Sequence, residues 1–346
     1  MKQEPLLVPR LYCPIPSAVS PHLEAVNEHT LAWARRFGLV QEEQAFVRLR
    51  DSKFPSLIAR AYPLAPRDRL DVISDWNTWL FLLDDECDEA GLGRKPDRLV
   101  TLHDRCLDVL SRFRPESLGR RRTSRSVPNP YRSRPGRPDV PLIYALDDLR
   151  GRMETLMSRA WMDRFAVSVS EYFDAAVWEA RNRECGVWPN SETYIQMRPY
   201  TGALYTVLNL IDLSEAVILP LVVRKHPAYQ ALMLITNNVV CWCNDLFSLP
   251  KERAYDDVHN LALILQHQED ISLQEAVNRV ARLVEQEVER FIALENDLPS
   301  FGPEVDSIVR RFVAGMGAWM RGNLDWSYES GRYNTTAEEE VAAPFV

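Results

Sequence analysis

The sequence of 346 residues predicts an all-α protein. Glycine is scarce, at 13 residues. There is also no Asn-Gly or Asp-Gly dipeptide of the kind that closes β-hairpins. Long stretches instead repeat apolar residues at the helical period of 3.6. These observations favour a bundle of helices over a sheet.

Helical periodicity marks four stretches. Residues 71–83 place an apolar stripe on one face, and residues 142–173, 274–294 and 305–319 show the same pattern. The pattern resumes after each break without a change in character. We therefore expect one domain over residues 1–346.

One break is different in composition. Segment 114–141 is rich in Pro and Arg and almost free of apolar residues, which predicts a disordered insertion between two helices. The chain carries a net charge of −8. Residues 112–139 carry a net charge of about +7, which leaves about −15 for the rest of the chain. An acidic body argues against nucleic acid as a partner and suits divalent cations. The Arg-rich segment keeps a polyanion-binding protein open as an alternative from another class.

The ends and the cysteines of the chain predict a cytoplasmic location. The N-terminus lacks the pattern of a secretory signal. Asp212 and Glu215 interrupt the longest apolar stretch, so no transmembrane segment is expected. The six Cys show no zinc-binding spacing and are interpreted as buried free thiols.

An acidic cluster follows the helix predicted over residues 71–83. Leu80, Asp84 and Asp88 are spaced i, i+4, so the acids continue a face that is apolar one turn earlier. Carboxylates on an inward face require a compensating cation, and hard oxygen ligands suit Mg²⁺. Either Asp88 or Glu89 could serve as the second acidic ligand beside Asp84.

A second polar stripe ends the apolar stretch over residues 231–243. Asn244, Ser248 and Glu252 stand at i, i+4 and i+8, on the face of Val240. An amide, a hydroxyl and a carboxylate on one face form a set of oxygen ligands for a metal ion. Pro250 removes a hydrogen bond within this helix and is expected to kink it just before Glu252.

Together the two motifs resemble those of bacterial class I terpene synthases. The family's aspartate-rich motif is matched by Asp84, Asp85, Asp88 and Glu89, and its NDxxSxxxE triad by Asn244, Asp245, Ser248 and Glu252. The resemblance implies a single-domain α-helical bundle around a central cavity. It also implies three Mg²⁺ ions, with Mn²⁺ as a possible substitute, that bridge the two motifs and the substrate diphosphate.

Further matches concern the diphosphate. Arg198 lies 46 residues before Asn244, which is the family's position for a diphosphate sensor. The resemblance implies that Thr201 and Gly202 couple this sensing to ionisation of the substrate. The C-terminal pair Arg332-Tyr333 matches the family's Arg-Tyr pair, and Lys251 is a further candidate contact for the diphosphate.

Aromatic rings are expected to shield and stabilise the carbocation. Phe81 shares the helical face of Asp84, and Trp326 occupies a family position six residues before Arg332. Trp79, Tyr205 and Trp319 are weaker candidates. No dedicated general base is evident, so diphosphate itself could take the final proton.

The resemblance implies a terpene synthase, a carbon–oxygen lyase that ionises an isoprenoid diphosphate and cyclises the carbocation. Farnesyl diphosphate and a sesquiterpene are the first choice. Geranylgeranyl diphosphate (a diterpene) and geranyl diphosphate (a monoterpene) remain alternatives. A chain-elongating prenyl synthase would show a second DDxxD motif, where this chain has NDLFS. The protein is expected to be a monomer or a homodimer.

Overall fold

The computed structural model describes residues 6–88, 91–111 and 139–333, and all regular structure in these ranges is helical. This confirms the all-α prediction. A single 3-10 turn spans Leu92–Arg94. The α-helices are α1 (Leu23–Phe37), α2 (Glu43–Asp51), α3 (Phe54–Ala61), α4 (Arg67–Asp88), α5 (Pro96–Ser111), α6 (Asp139–Leu156), α7 (Arg159–Cys185), α8 (Ser191–Thr201), α9 (Leu204–Ser214), α10 (Leu221–Arg224), α11 (Pro227–Ala254), α12 (Leu261–Glu269), α13 (Leu273–Asn296) and α14 (Pro303–Glu329).

Helix α4 is longer than the predicted stretch 71–83. It begins at Arg67 and runs to Asp88, so Asp84 and Asp85 lie on the helix instead of following it. The predicted apolar stripe is buried, as it comprises Val72, Ile73, Trp76, Trp79, Leu80 and Leu83. This burial fixes the rotation of the helix about its axis. The position of Asp84 follows from it, because Asp84 lies one turn after Leu80.

The helical pattern predicted over residues 142–173 is two helices, so that prediction is wrong at its centre. Helix α6 ends at Leu156, and Ser158 starts α7 by accepting a hydrogen bond from the Trp161 N–H (3.3 Å). The predicted insertion also ends too late. Its residues up to 138 lie outside the described ranges, but Asp139 already begins α6, and Pro141 is tolerated in the first turn.

Helix α14 extends ten residues past the predicted end at 319, to Glu329, and this extension brings Trp326 into the protein interior. Close packing against α3 requires Gly322. A Cβ at this position would lie 2.8 Å from the Cβ of Arg60. A larger residue would therefore push the two helices apart.

Helix α11 is continuous from Pro227 to Ala254, through Pro250. It ends just before Tyr255, where the sequence indicates fraying. The helix packs against α13 on one side and α14 on the other, and its central residues are buried. The triad is therefore carried on a helix anchored on two sides.

The described cysteines are all free thiols. Cys106, Cys241 and Cys243 are buried as predicted, but Cys185 is exposed at the end of α7, so the prediction of buried thiols is wrong there. Among the helices within the described ranges, none combines the length and the apolar character needed to cross a membrane.

Candidate active site

A cavity lies between α4, α8, α11 and α14, with α3, α7 and α9 completing its wall. It collects most of the residues singled out by the sequence. These are Phe81, Asp84, Arg198, Thr201, Gly202, Asn244, Ser248, Lys251, Glu252, Trp326, Arg332 and Tyr333. Their shared location is a property of the structure, whereas the role of each stays a prediction.

Two carboxylates of α4 meet two cations at the polar end of the cavity. Arg332 contacts Asp85 at two points, from Nη2 to Oδ1 (2.9 Å) and from Nη1 to Oδ2 (3.3 Å). The same Nη2 lies 3.6 Å from Oδ2 of Asp84. Lys251 approaches Oδ1 of Asp85 to 3.7 Å. Residues from the chain's C-terminal part and from α11 thus neutralise the acids of α4.

The pKa values of the two carboxyls move in opposite directions. Desolvation raises the pKa of Asp84, and the charge of Arg332 offsets only part of this effect. Desolvation also acts on Asp85, but Arg332 and Lys251 outweigh it and lower its pKa. The Asp84 side chain is 55% exposed and that of Asp85 is 25% exposed, so contact with solvent limits the increase in the pKa of Asp84. Asp84 is thus the carboxyl more open to a ligand.

The second predicted acidic position is at the end of α4. Asp88 is the last residue of α4, one turn beyond Asp84, and its side chain is not described. Glu89 lies outside the described residues. Within the ranges that are described, no three His, Cys, Asp or Glu side chains form a metal-binding group. The predicted set of ligands also includes the amide and hydroxyl oxygens of Asn244 and Ser248 on α11.

The triad of α11 faces the same cavity. Ser248 Oγ donates a hydrogen bond to Glu252 Oε1 (2.8 Å), so the two side chains meet although Pro250 lies between them. Burial raises the pKa of Glu252 well above its usual range, and the nearby charge of Asp245 adds to the effect. Glu252 lines the cavity together with Asn244 and Ser248, so Pro250 does not separate it from the rest of the triad.

The sequence separation between Arg198 and Asn244 becomes a direct contact. Arg198 Nη2 donates to Asn244 Oδ1 (2.8 Å), and Nε donates to Asp245 Oδ1 (2.9 Å). Asp245 is fully buried and also accepts a hydrogen bond from the Tyr194 hydroxyl (3.0 Å). The guanidinium is therefore held in a fixed orientation at the edge of the cavity, next to the triad.

Thr201 and Gly202 follow Arg198 at the end of α8. Arg198 Nη1 lies 3.5 Å from Thr201 Oγ1. Gly202 is required for packing, since an added Cβ would lie 2.4 Å from Cys241 Sγ on α11. The chain then turns sharply into α9 through Ala203, which has φ of 55°. Within this turn, Gly202 presents backbone without a side chain to the cavity.

Tyr333 links the C-terminal part of the described chain to the triad. Its hydroxyl accepts a hydrogen bond from Asn244 Nδ2 (2.8 Å). Asn244 is therefore held at both ends of its amide, by Arg198 at the oxygen and by Tyr333 at the nitrogen. Every predicted diphosphate contact lies within this connected group or beside the carboxylates of α4.

Aromatic rings lie next to these polar groups, since the Arg332 guanidinium carbon is 4.9 Å from the centre of the Phe81 ring and the Tyr333 ring is 5.6 Å from that of Trp326. Phe81 stacks on Phe54 with ring centroids 4.1 Å apart, and it lies 5.7 Å from the ring of Trp326. Trp319 also lines the cavity. Trp79 is instead a core residue, because its indole N–H donates to the Leu142 carbonyl (2.9 Å). Tyr205 does not line the cavity either.

Sequence reasoning missed Asn260, which lies in the turn before α12. Its Nδ2 donates to Glu252 Oε2 (2.6 Å) and to the Asp245 carbonyl oxygen (2.5 Å). Its Oδ1 caps α12 by accepting from the Ala262 N–H (2.9 Å). No helical spacing connects this residue to the triad, so the contact is visible only in the folded chain.

Three further polar lining residues were missed: Asn77, Tyr172 and Asn323. Asn77 could have been found, since it lies on the face of α4 that carries Asp84 seven residues later. Asn323 precedes Trp326 by three residues, but the predicted helix stopped at 319. Tyr172 comes from α7, which contributes no other lining side chain.

Carboxylates, cations and aromatic rings line one helical cavity, and the chain also matches the model of a known enzyme family. Residues 75–290 match the model of terpene synthase family 2, C-terminal metal binding. The chain therefore belongs to the terpene synthases, which are lyases acting on isoprenoid diphosphates. The matched residues include both motifs, and the family description implies a metal cofactor.

Relatives align over nearly the whole chain. The (+)-T-muurolol synthase ((2E,6E)-farnesyl diphosphate cyclizing) of Roseiflexus castenholzii is 38% identical over 96% of this chain and 95% of its own. Germacrene A synthase of Nostoc punctiforme is 36% identical over 97% and 98%. Among solved structures, a single-residue variant of cucumene synthase is 27% identical, with a TM-score of 0.76 over 93% of this chain and 99% of that one. The predicted class I helical fold is thus confirmed.

Proposed function

We propose that the protein is a magnesium-dependent sesquiterpene synthase that ionises farnesyl diphosphate, cyclises the carbocation and releases diphosphate. One observation carries the proposal: both motif helices face one cavity, which polar groups and aromatic rings line together. The C15 substrate is supported by the relative that cyclises farnesyl diphosphate and aligns with 96% of this chain.

The donor set fits magnesium. Asn244 Oδ1, Ser248 Oγ and the Glu252 carboxylate share one face of α11, and Asp84 lies on another wall of the same cavity. Hard oxygen donors of this kind suit Mg²⁺. The family resemblance gives three ions, held by these residues together with Asp88 or Glu89, and Mn²⁺ as a substitute. Bound there, magnesium would stabilise the negative charge that develops on the diphosphate oxygens.

The cationic and hydroxyl side chains would bind the diphosphate itself. Arg332 and Lys251 lie beside Asp85, and Arg198 and Tyr333 both contact Asn244. Guanidinium groups form paired hydrogen bonds with phosphate oxygens. As the allylic C–O bond breaks, these donors would stabilise the departing anion.

The aromatic wall would receive the carbocation. Phe81 and Trp326 line the cavity and contain no nucleophile, and aromatic faces carry negative charge density, so the rings would stabilise a cation without trapping it. The Arg332 guanidinium lies 4.9 Å from the centre of the Phe81 ring, so this ring already contacts a cation in the structure. Thr201 and Gly202 lie between the sensor Arg198 and the start of α9. A movement of Arg198 on diphosphate binding would therefore reach the substrate through this turn.

The test is turnover of geranyl, farnesyl and geranylgeranyl diphosphates with Mg²⁺, measured by diphosphate release and gas chromatography. We expect farnesyl diphosphate to be turned over fastest. A faster reaction with the C20 or C10 substrate would support the diterpene or monoterpene alternative. No turnover of any of the three would overturn the proposal.

The triad is tested by the variant Asn244→Ala. Loss of the amide removes one predicted ligand and the partner of both Arg198 and Tyr333. We expect turnover to fall by roughly a hundredfold or more, while the helical circular dichroism is retained. The matched control is Asn278→Ala on α13, outside the cavity, which should keep full turnover.

We also infer a single domain, present as a monomer or homodimer in the cytoplasm. One continuous apolar core contains residues from Leu11 to Trp326, which supports the single domain. All six cysteines are free, as is usual in a reducing compartment. Light scattering coupled to size-exclusion chromatography measures the oligomeric state.

A further inference from the structure

Two side-chain amides in the cavity have donors that no protein group accepts. Asn77 on α4 and Asn323 on α14 are each only 4% exposed, and both line the cavity. In the described part of the chain, neither Nδ2 atom has a hydrogen-bond partner. Buried polar atoms in proteins are nearly always paired with protein or with water, so each of these amides calls for a partner.

Neither amide is among the predicted metal or diphosphate contacts. Asn77 precedes Asp84 by seven residues, which corresponds to about 10 Å along the helix axis. Asn323 precedes Trp326 by three residues on α14. The cavity that both amides line also contains apolar and aromatic side chains, among them Leu57, Leu80, Val207 and Trp319.

The chemistry of the site indicates which molecule accepts hydrogen bonds from these two amides. Leaving an amide unpaired in apolar surroundings costs free energy, which an asparagine-to-leucine exchange would avoid. The hydrocarbon part of an isoprenoid diphosphate offers no acceptor for an N–H group. A water molecule does, and it can also donate to the amide oxygen.

We propose that Asn77 and Asn323 hold water in the cavity and that this water captures the last carbocation, so that the main product is a terpene alcohol. The inference rests on the proposed function. The allylic C–O bond breaks, and its electron pair leaves with diphosphate. A lone pair of the water oxygen then forms a new C–O bond to the cationic carbon. The proton lost from this oxygen passes to the released diphosphate, so no oxidant or reductant is needed.

The first experiment uses the unmodified protein. Farnesyl diphosphate and Mg²⁺ are incubated in ¹⁸O-enriched water, and the products are analysed by gas chromatography with mass spectrometry. We expect the main product to be an alcohol that carries the heavy oxygen. Turnover to hydrocarbons alone would overturn this inference and leave the proposed function intact. Absence of diphosphate release would overturn both.

The second experiment identifies the residues. Asn77→Leu and Asn323→Leu keep the side-chain volume and remove the hydrogen-bonding groups. We expect the alcohol-to-hydrocarbon ratio to fall roughly fivefold or more in each variant, with total diphosphate release less affected. Asn77→Ser and Asn323→Ser retain a polar group and should restore part of the alcohol.

The control is Asn238→Leu. This asparagine is also buried and has an unpartnered amide oxygen, but it does not line the cavity. Its product ratio should match that of the unmodified protein. An unchanged ratio in both leucine variants of the cavity would show that the water is not held by these amides.

Discussion

At the scale of single residues, the carboxylate of the predicted metal ligand Glu252 is held in position by a residue of another segment, Asn260. Pro250 removes a helical hydrogen bond just before it, and Ser248 and Asn260 each hold one oxygen of its carboxylate. Asn260 at the same time caps α12. One side chain therefore fixes both the end of the triad and the start of the following helix.

This arrangement predicts the effect of Asn260→Asp. The new carboxylate can still cap α12 but would face Glu252 and the Asp245 carbonyl with like charge or an unmatched oxygen. We expect a loss of about 2 kcal/mol in the free energy of unfolding and a turnover at least tenfold lower. Urea denaturation and the diphosphate assay measure the two effects.

A control separates capping from positioning. Asn190 caps α8 by accepting from the Thr193 N–H (2.7 Å), with no triad contact. Asn190→Ala should cost about 1 kcal/mol and leave turnover unchanged. If Asn260→Asp kept normal turnover at lower stability, the residue would be a helix cap only.

Spacing along one helix could be predicted from the sequence, and contacts between segments could not. Asn244, Ser248 and Glu252 were found because four-residue steps keep side chains on one face. The two-point contact between Arg332 and Asp85 joins positions 247 residues apart, and no local pattern encodes it. Asn260 was missed for the same reason.

At the scale of elements, the predicted helix ends were wrong where polar residues continue a helix. The predicted helix over 71–83 stopped at its last apolar residue, although α4 continues through Asp88. The stretch predicted over 142–173 contains the break between α6 and α7. The sequence pattern does not show this break, because the apolar period continues almost unchanged across the cap residue Ser158. Apolar periodicity shows which residues of a helix are buried. It does not show where the helix ends, because the helix continues as long as its backbone hydrogen bonds continue.

The contact between α5 and α7 makes stability depend on pH. His103 of α5 is buried and stacks on Phe173 of α7, with ring centroids 3.9 Å apart. Burial lowers its pKa to about 3, against about 6.5 in the unfolded chain. The unfolded state therefore binds more protons between these values. This contribution is complete above pH 6.5 and falls by about 2 kcal/mol by pH 5.

The variant His103→Phe keeps a stacked ring and removes the titration. Urea denaturation at pH 7, 6 and 5 should show a smaller loss of stability in this variant than in the unmodified protein. His267→Asn, at an exposed histidine, should retain the full loss. Equal slopes in all three proteins would show that His103 does not titrate in this way.

At the scale of the whole molecule, the charge divides into two parts. The chain has a net charge of −8, and the Arg-rich residues 112–139 are positive within an acidic remainder. The described helices on either side, α5 and α6, pack directly on each other. A segment inserted between two helices that already pack together is compatible with this contact, and the insertion stays a prediction.

We therefore expect deletion of residues 120–138 to leave turnover of farnesyl diphosphate within about twofold, because every described cavity residue lies elsewhere in the chain. The diphosphate assay and a thermal melt provide the measurement. A folded deletion variant without turnover would show that the Arg-rich segment takes part in the reaction.

The contact between Arg332 and Asp85 would couple two binding events. Asp85 stands next to the proposed metal ligand Asp84, and its carboxylate lies 2.9 Å from the Arg332 guanidinium. A metal ion that also took up Asp85 would have to separate this pair, so part of its binding energy would be spent on the separation. The guanidinium would then lose this counter-ion and gain affinity for an anion. Cation and anion would thereby be linked thermodynamically, and each would tighten the binding of the other by the same factor.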